Sequence, residues 1–227
     1  MKNKKIFRYS FSVLLFLGAF PLFSQNTGSL HKERTDSIPF FQGLYIGTDL
    51  FGPVSYTLGS DYVSYQLSVL ANLNNKFFPV WEIGMGKGNT TTDFDLNLKT
   101  SNSIFNRIGL NYNIIDKKHK DFFYVGLRYG FSSFNYELNN IVLINDYWND
   151  SYIKDLKEQS TTISWGELLA GIQVNVTSNL YMGWNVAYKL IINETLDNDN
   201  IKPWYIPGYG TSHWGITYNV YYKIPFW

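Results

Sequence analysis

The chain contains no cysteine and only three histidines in 227 residues. The absence of cysteine excludes a disulfide framework, a thiolate metal site and acylation at a lipobox cysteine. His31, His119 and His213 are far apart and show no spacing typical of a transition-metal site. We therefore expect neither a metal nor a cofactor.

Charged residues are scarce as well, at 16% of the chain with a formal net charge of +1. A nucleic-acid-binding domain would show a basic patch, so this balance argues against a nucleic acid partner. Beyond the amino terminus, the sequence also lacks the run of roughly 20 apolar residues that a membrane-spanning helix needs. Aromatic residues are abundant instead, at 19% of the chain. Tyr and Trp favour places that are apolar on one side and wet on the other.

The amino terminus has the pattern of a secretory signal peptide. Four cations, beginning at Lys2, precede an apolar run over about residues 11–20, and cleavage is expected after Ser24. An uncleaved anchor is the alternative, but Ser12 and Gly18 interrupt the apolar run. The pattern predicts a signal peptide at 1–24, a periplasmic lead-in at 25–42 and a folded domain at 43–227 in an exported protein.

Within residues 43–227, eight segments alternate apolar and polar side chains with a period of two, which is typical of β-strands. The eight segments are GLYIGTDLF from Gly43, YVSYQLSVLANL from Tyr62, FPVWEIGMGKG from Phe78, SIFNRIGLNYNI from Ser103, FFYVGLRYGFSSF from Phe122, WGELLAGIQVNV from Trp165, LYMGWNVAYKLI from Leu180 and HWGITYNVYYKIPFW from His213.

The connections between these strands alternate between short turns and longer loops. NNKF, DKKHKD and TSN are short, whereas the stretch from about Tyr136 to Thr161 is one of the long loops. An even number of alternating strands with such connections is typical of an eight-stranded antiparallel up-and-down transmembrane β-barrel, which is an all-β fold. A soluble sandwich or lipocalin-like barrel is the alternative. It is disfavoured because charges lie at mid-strand and aromatics such as Tyr45, Trp81, Trp165 and Trp214 lie near the strand ends.

The barrel interior is expected to contain charged side chains of both signs. An eight-stranded barrel is just wide enough for side chains to fill it, so a general diffusion pore is excluded and buried charges must be paired. We expect Arg107 and Arg128 to share the carboxylates of Glu82 and Glu167 as a sealed plug. A proton or ion path is the alternative. The complete predicted lumen network is Asp49, Glu82, Arg107, Arg128, Glu167 and Lys189.

The segment PWYIPGYG, from Pro203 to Gly210, differs from the other loops. Two prolines and two glycines restrict its backbone, and Trp204, Tyr205 and Tyr209 provide rigid aromatic area. The segment is expected to form either a lid over the barrel mouth or a surface contact for a sugar or a protein. His213 lies close by, and a rim enzyme centred on it is an alternative reading of this end of the molecule.

The carboxyl terminus resembles the assembly signal of Gram-negative outer-membrane proteins, through the spaced residues Tyr222, Ile224, Phe226 and Trp227. The resemblance implies outer-membrane localisation and recognition by the barrel assembly machinery. PWYIPGYG and YYKIPF also resemble a family of small outer-membrane barrels of unknown function. That resemblance implies the fold and the location but no activity.

These observations predict a small outer-membrane β-barrel with a filled lumen and a structural or surface-interaction role. Its expected partners are outer-membrane lipid and, during biogenesis, the assembly machinery. The surface ligand stays open. A rim enzyme acting on envelope lipid and a narrow ion- or proton-conducting barrel are the alternative functions, and we expect the protein not to be an enzyme.

Overall fold

A computed structural model describes residues 39–91, 96–115, 119–145, 150–196 and 202–225. The expected signal peptide, most of the lead-in, and Phe226 and Trp227 of the terminal signal lie outside these residues. The first strand begins at Phe41, two residues before the expected start of the folded domain.

Nine strands and one helix make up the described part of the chain. The elements are β1 (Phe41–Asp49), α1 (Phe51–Thr57), β2 (Tyr62–Leu73), β3 (Phe77–Thr91), β4 (Asn97–Thr100), β5 (Ser103–Asn113), β6 (Phe122–Asn145), β7 (Asp150–Asn175), β8 (Leu180–Leu196) and β9 (Trp214–Ile224). In the described residues no helix has the length and apolarity to cross a membrane.

The strands form one antiparallel up-and-down sheet that closes in a ring. Except for β4 and β5, each strand pairs with the next along the chain, and β9 pairs with β1 to complete the circle. The short strand β4 pairs with β3 and β6, the same two neighbours that flank β5. β4 and β5 are therefore successive halves of one position in the ring, interrupted at residues 101–102.

Two regions expected to be loops are ordered. The expected loop at Tyr136–Thr161 is wrong, because β6 and β7 continue through most of it and run side by side as far as Asn145 and Asp150. The loop after β1 contains α1. The side-chain carboxylate of Asp49 accepts hydrogen bonds from the backbone N–H groups of Phe51 and Gly52, each at 3.0 Å, and so fixes the start of this helix.

The outer wall of the ring carries an apolar belt formed by alternate strand residues. At mid-height, the exposed fractions are 59% for Leu67, 64% for Leu127 and 61% for Leu168. The residues between them in sequence face the lumen, where many are polar or small and others form buried aromatic and apolar clusters. The apolar belt is defined by its exposed members Ile46, Tyr65, Leu67, Trp81, Ile83, Met85, Ile104, Ile108, Leu110, Phe123, Val125, Leu127, Tyr129, Phe131, Leu168, Ile172, Val186, Leu190, Trp214 and Ile216.

The polarity of the wall reverses towards the end of the ring that carries residues 202–210, which we call the mouth. On β6, every second residue from Phe123 to Phe131 faces outward and is apolar. Further along, Phe134, Tyr136 and Leu138 are buried inside while Asn135 is exposed. Beyond the apolar belt the ring therefore resembles a water-soluble sheet, apolar inside and polar outside. The change occurs between Phe131 and Phe134.

The strand-end aromatics do not all face outward as expected. Trp81 and Trp214 are 51% and 61% exposed on the outer wall, whereas Tyr45 and Trp165 are buried in the lumen. The reason is strand parity. Tyr45 alternates with the outward-facing Ile46, and Trp165 lies two residues from the inward-facing Glu167.

Closure of the ring can be tested by a disulfide between β1 and β9, since the chain has no other cysteine. Thr48 and Val220 are direct cross-strand partners. Directly opposite residues have α-carbons about 4.5 to 5.5 Å apart, within the range of about 4.4 to 6.8 Å that a disulfide spans. We expect the Thr48→Cys/Val220→Cys variant to cross-link on mild oxidation, as measured by gel mobility.

The control variants for this cross-link use the same first cysteine. Thr48→Cys/Leu67→Cys joins β1 to its other neighbour and should cross-link equally well. Thr48→Cys/Leu168→Cys places the second thiol on β7, which is not adjacent to β1, and should stay reduced. Cross-linking to β2 without cross-linking to β9 would show that the sheet is open.

Candidate functional site

Four charged side chains meet at the centre of the lumen, in what we call the charge layer. Glu82 on β3 and Arg107 on β5 are direct cross-strand partners, and so are Arg128 on β6 and Glu167 on β7. All four are at least 94% buried. Their inward direction follows from the alternation that places the apolar belt on the outer wall.

Arg107 is the hub of the charge layer. Its Nε lies 2.9 Å from Glu82 Oε2, and its Nη1 lies 3.3 Å from Glu167 Oε1. Nη1 also donates to the Tyr209 hydroxyl, and Nη2 donates to the Gln66 side-chain oxygen. A planar fork with five donors suits this arrangement of carboxylates around one cation. Arg107 thus joins β2, β3, β5, β7 and the segment 202–210.

Glu167 is held by two further donors. The Trp165 indole N–H donates to Glu167 Oε1 at 2.6 Å, and the Tyr209 hydroxyl donates to Oε2 at 3.2 Å. These contacts satisfy both carboxylate oxygens, as a buried charge requires. The sequence identified the two carboxylates because they are charged. It did not identify Gln66, Trp165 or Tyr209 as their partners, because these side chains carry no charge.

The expected lumen network is only partly assembled as one cluster. Arg128 Nε lies 3.6 Å from Glu82 Oε1, so Arg128 pairs with Glu82, although its direct neighbour across the ladder is Glu167. The strands of the ring are staggered, so the side chain across the lumen differs from the backbone neighbour on the adjacent strand. Sequence position therefore did not predict that Arg128 pairs with Glu82.

Lys189 and Asp49 lie outside the charge layer. The Lys189 ammonium lies 3.8 Å from the centre of the Tyr209 ring and donates to the Trp214 carbonyl at 3.2 Å. The Asp49 carboxylate accepts from three backbone N–H groups, those of Phe51, Gly52 and Tyr218. Asp49 is buried, as expected for a lumen residue, and its hydrogen bonds go to the backbone of α1 and β9.

The segment PWYIPGYG folds into the mouth as a tight turn, which we call the plug turn (residues 204–210). The Tyr209 N–H donates to the Ile206 carbonyl at 3.0 Å, and Gly208 has a φ of +89°. Proline at the second position and a positive-φ glycine at the third are typical of a type II turn. A further pair of backbone hydrogen bonds joins Ile206 and Gly210.

Glycines on the inner wall make room for the plug turn. A β-carbon at position 86 would lie 2.8 Å from the Gly208 nitrogen, and one at position 88 would lie 2.9 Å from the Tyr205 ring. A β-carbon at position 215 would lie 2.6 Å from the Tyr209 ring. Gly86 and Gly88 on β3 therefore have a structural reason, since side chains there would exclude the turn.

The burial of the plug turn corrects the expected surface contact. Tyr205 and Tyr209 are 1% and 6% exposed, and only Trp204 is partly accessible. The Tyr205 ring packs edge-on against Phe134 at 5.6 Å, and burial raises the pKa of its phenol. The two tyrosine rings point down into the lumen because the apolar interior near the mouth accepts them. The lid interpretation agrees with this geometry.

Apolar layers cover the charge layer on both sides. On the mouth side, the plug turn packs with buried residues that include Phe105, Phe134 and Trp165. On the opposite side, which we call the turn end, Tyr45, Phe78, Phe122 and Tyr181 pack with ring centres 4.8 to 6.2 Å apart. The charges are thus enclosed between two layers of side chains.

His213 lies at the mouth but apart from these groups. Its side chain is exposed, with its ring 6.4 Å from that of Tyr188. The neighbouring Ser212 hydroxyl accepts a hydrogen bond from the Trp214 N–H. Across the described residues, no group of three or more His, Cys, Asp or Glu side chains could hold a metal ion.

Fold and site together define a closed antiparallel β ring with an apolar outer wall and a sealed, charged interior. Residues 6–227 match the model of DUF6048, a domain of unknown function, so the chain belongs to that family. The expected membership of a family of unknown function is confirmed. Recognition of that family as outer-membrane barrels stays a prediction.

Other comparisons give little more. No curated protein matches the chain in sequence. Among solved structures, the chain is similar to Ail, the attachment invasion locus protein of Yersinia pestis, in complex with the heparin analogue sucrose octasulfate. The identity is 10%, with 82% of this chain and 100% of that chain covered and a TM-score of 0.40. At that score the likeness carries no argument about function.

The charge layer predicts a specific pattern of coupling. Glu167→Gln should lower the free energy of unfolding by about 3 to 5 kcal/mol, since it removes one partner of a buried ion pair. Arg107→Gln should cost a similar amount. The double variant should recover part of the combined loss, with a coupling energy of about 1 to 3 kcal/mol. Denaturant unfolding of the detergent-solubilised protein measures all three values.

Two controls accompany this cycle. Glu158→Gln removes a carboxylate that is exposed and should change stability by less than about 0.5 kcal/mol. Glu167→Gln combined with Arg128→Gln should couple more weakly, because the ion pair of Arg128 is with Glu82. Additive losses for Glu167 and Arg107 would contradict the hub role of Arg107.

Proposed function

We propose that this protein is an eight-stranded transmembrane β-barrel of the outer membrane, with a sealed lumen and a structural or surface-interaction role. One observation carries the proposal: the closed ring is apolar on its outside and charged on its inside. In water such a protein would expose its apolar belt and bury its charges, which is the reverse of a soluble core. In lipid both faces have suitable surroundings.

The extent of the belt supports lipid rather than a protein partner. Soluble monomers rarely expose contiguous apolar patches larger than about 300 to 600 Å². Here exposed leucine, isoleucine and aromatic side chains occur on every position around the ring, including Ile46, Tyr65, Ile108, Leu127 and Val186. A protein partner covers one side of a molecule, whereas lipid surrounds it.

The height of the belt also fits a bilayer. The strand β9 has 11 residues and is apolar outward from Trp214 to Tyr222. The apolar part covers nine residues, which at about 3.3 Å per residue and a tilt of about 40° span roughly 23 Å of height, close to the apolar band of about 25 Å in outer-membrane barrels. The reversal of polarity between Phe131 and Phe134 marks where the wall leaves the hydrocarbon.

Biogenesis is proposed to use the assembly machinery. Tyr222 is 53% exposed on the outer wall of β9, next to the closing seam with β1. Tyr222 and Ile224 share one strand face, and Phe226 and Trp227 complete the resemblance to the terminal signal in the sequence. Outer-membrane lipid is the second proposed partner. No nucleic acid partner is proposed.

A charge on the belt distinguishes lipid from water outside the ring. Leu127→Arg places a cation at mid-belt on β6 and should cost about 2 to 4 kcal/mol in a membrane. Asn135→Arg lies on the same strand and the same wall, beyond the belt, and should cost about 0 to 1 kcal/mol. Unfolding of protein folded into phosphatidylcholine vesicles measures both changes. Equal, small costs would mean that water contacts Leu127, and the proposal would be wrong.

The sealed lumen predicts the absence of channel activity. Two apolar layers enclose the charge layer, so protein inserted in a planar bilayer should show no conductance steps. A porin in the same bilayer provides the positive control. Steps that change when Glu82 is replaced by Gln would instead favour the narrow ion or proton path.

The rim-enzyme alternative depends on His213. Because its exposed imidazole stacks near Tyr188 rather than facing a carboxylate pair, we expect His213→Ala to leave the lipid composition of the envelope unchanged, as measured by mass spectrometry of extracted lipids. A lipid species that accumulates in the variant and disappears on restoring His213 would establish the enzyme.

A further inference from the structure

We propose that a cleft on the outer wall, just beyond the apolar belt, binds the phosphate of a lipid headgroup. This inference rests on the proposed membrane location. The cleft has a volume of about 350 Å³ and lies beside residues 101–102, where β4 ends and β5 begins.

The cleft arises from the interruption between β4 and β5. Ser101 keeps one backbone link to β6, where its N–H donates to the Asn135 carbonyl at 2.9 Å, and its hydroxyl accepts from the Asn135 N–H at 3.2 Å. The regular ladder resumes on either side with β4 and β5. The break leaves a recess with a preformed floor, which is a favourable condition for binding a small group.

The position of the cleft corresponds to lipid headgroups. Lys87 has the same outward parity as Met85 on β3 and lies two residues closer to the mouth, about 7 Å along the strand. On β6, Asn135 has the same outward parity as Phe131 and lies four residues closer to the mouth. The polar region of a bilayer extends about 5 to 7 Å beyond each side of the hydrocarbon. A lipid whose chains rest on Met85 and Phe131 therefore presents its headgroup to this recess.

The charges of the cleft select the chemistry. Lys87 and Lys99 are exposed, and in the described part of the chain neither forms an ion pair. Lys99 faces Glu137 directly across the β4–β6 ladder without closing a salt bridge. Of the two lysines, Lys87 lies on β3 two residues beyond the belt residue Met85. We expect the phosphate of a bound lipid at this level. Lysine binds phosphate as a point charge, and the Ser101 hydroxyl adds a donor.

The two carboxylates restrict which phosphate fits. Glu137 and Glu158 also line the cleft, and Glu137 lies directly across the ladder from Lys99. They disfavour a multiply charged anion and can accept hydrogen bonds from hydroxyl or ammonium groups of a headgroup. The favoured ligand is thus a phosphate that carries a donor-bearing group on its solvent side.

Binding can be measured with a soluble short-chain probe on the purified full-length protein in neutral detergent. We expect dihexanoyl phosphatidylethanolamine to bind more tightly than dihexanoyl phosphatidylcholine, whose headgroup has no donor. Lys87→Ala/Lys99→Ala should weaken phosphatidylethanolamine binding about tenfold, which corresponds to the loss of two charge contacts. Glu137→Gln/Glu158→Gln should reduce the preference between the two lipids. Titration followed by native mass spectrometry gives the affinities.

The matched control is Lys120→Ala/Lys154→Ala, which removes two exposed lysines that do not line the cleft and should leave the affinity within about twofold. Circular dichroism checks that each variant is folded, and the single variants Lys87→Ala and Lys99→Ala serve if the double variant is not. Equal weakening in the cleft and control variants would overturn the proposal. Displacement of the lipid by millimolar inorganic phosphate would overturn the lipid assignment and reassign the cleft to free phosphate.

This test is independent of the proposed membrane location, because the short-chain probes are soluble. If Leu127→Arg behaves like Asn135→Arg, the membrane barrel fails whatever the cleft binds. If the membrane barrel holds but Lys87 and Lys99 make no difference to lipid affinity, the cleft proposal alone fails.

Discussion

The pairing of β1 with β9 is the constraint on which the rest of the structure depends. A ring without free edges satisfies the backbone hydrogen bonds of every strand, so the outer wall needs no water and can carry side chains that are apolar throughout. The same closure creates a narrow interior that cannot be left empty. The apolar belt, the charge layer and the plug turn all depend on this closure of the sheet.

Paired polar side chains fill the centre of the lumen. Arg107 links four strands and the plug turn through two carboxylates, an amide and a phenol. Because each partner comes from a different part of the chain, the cluster specifies the register of the ring as well as neutralising charge. Inner-wall glycines then admit the plug turn above it. The consequence is a closed ring whose interior is filled by its own side chains.

Much of the ring was predictable from the sequence, because a period of two assigns each residue to one wall. That rule placed Glu82, Arg107, Arg128 and Glu167 inside and Leu127 outside. It did not reach the contacts made across the lumen, such as Tyr209 with Glu167, which depend on shear and on how a loop folds back. The extension of β6 was missed because its polarity reverses after Phe131, although Phe134, Tyr136 and Leu138 keep the period. Under the proposed membrane location, that reversal marks the edge of the hydrocarbon region.

The central claim is that lipid surrounds the apolar belt while the lumen excludes it. Nuclear Overhauser contacts between acyl-chain protons of a detergent or lipid and leucine methyl groups of the folded protein measure this directly. The account predicts contacts for Leu67, Leu127 and Leu168 on the outer wall, and none for the buried Leu70 and Leu138. Contacts from water, rather than from acyl chains, to the outer leucines would contradict it.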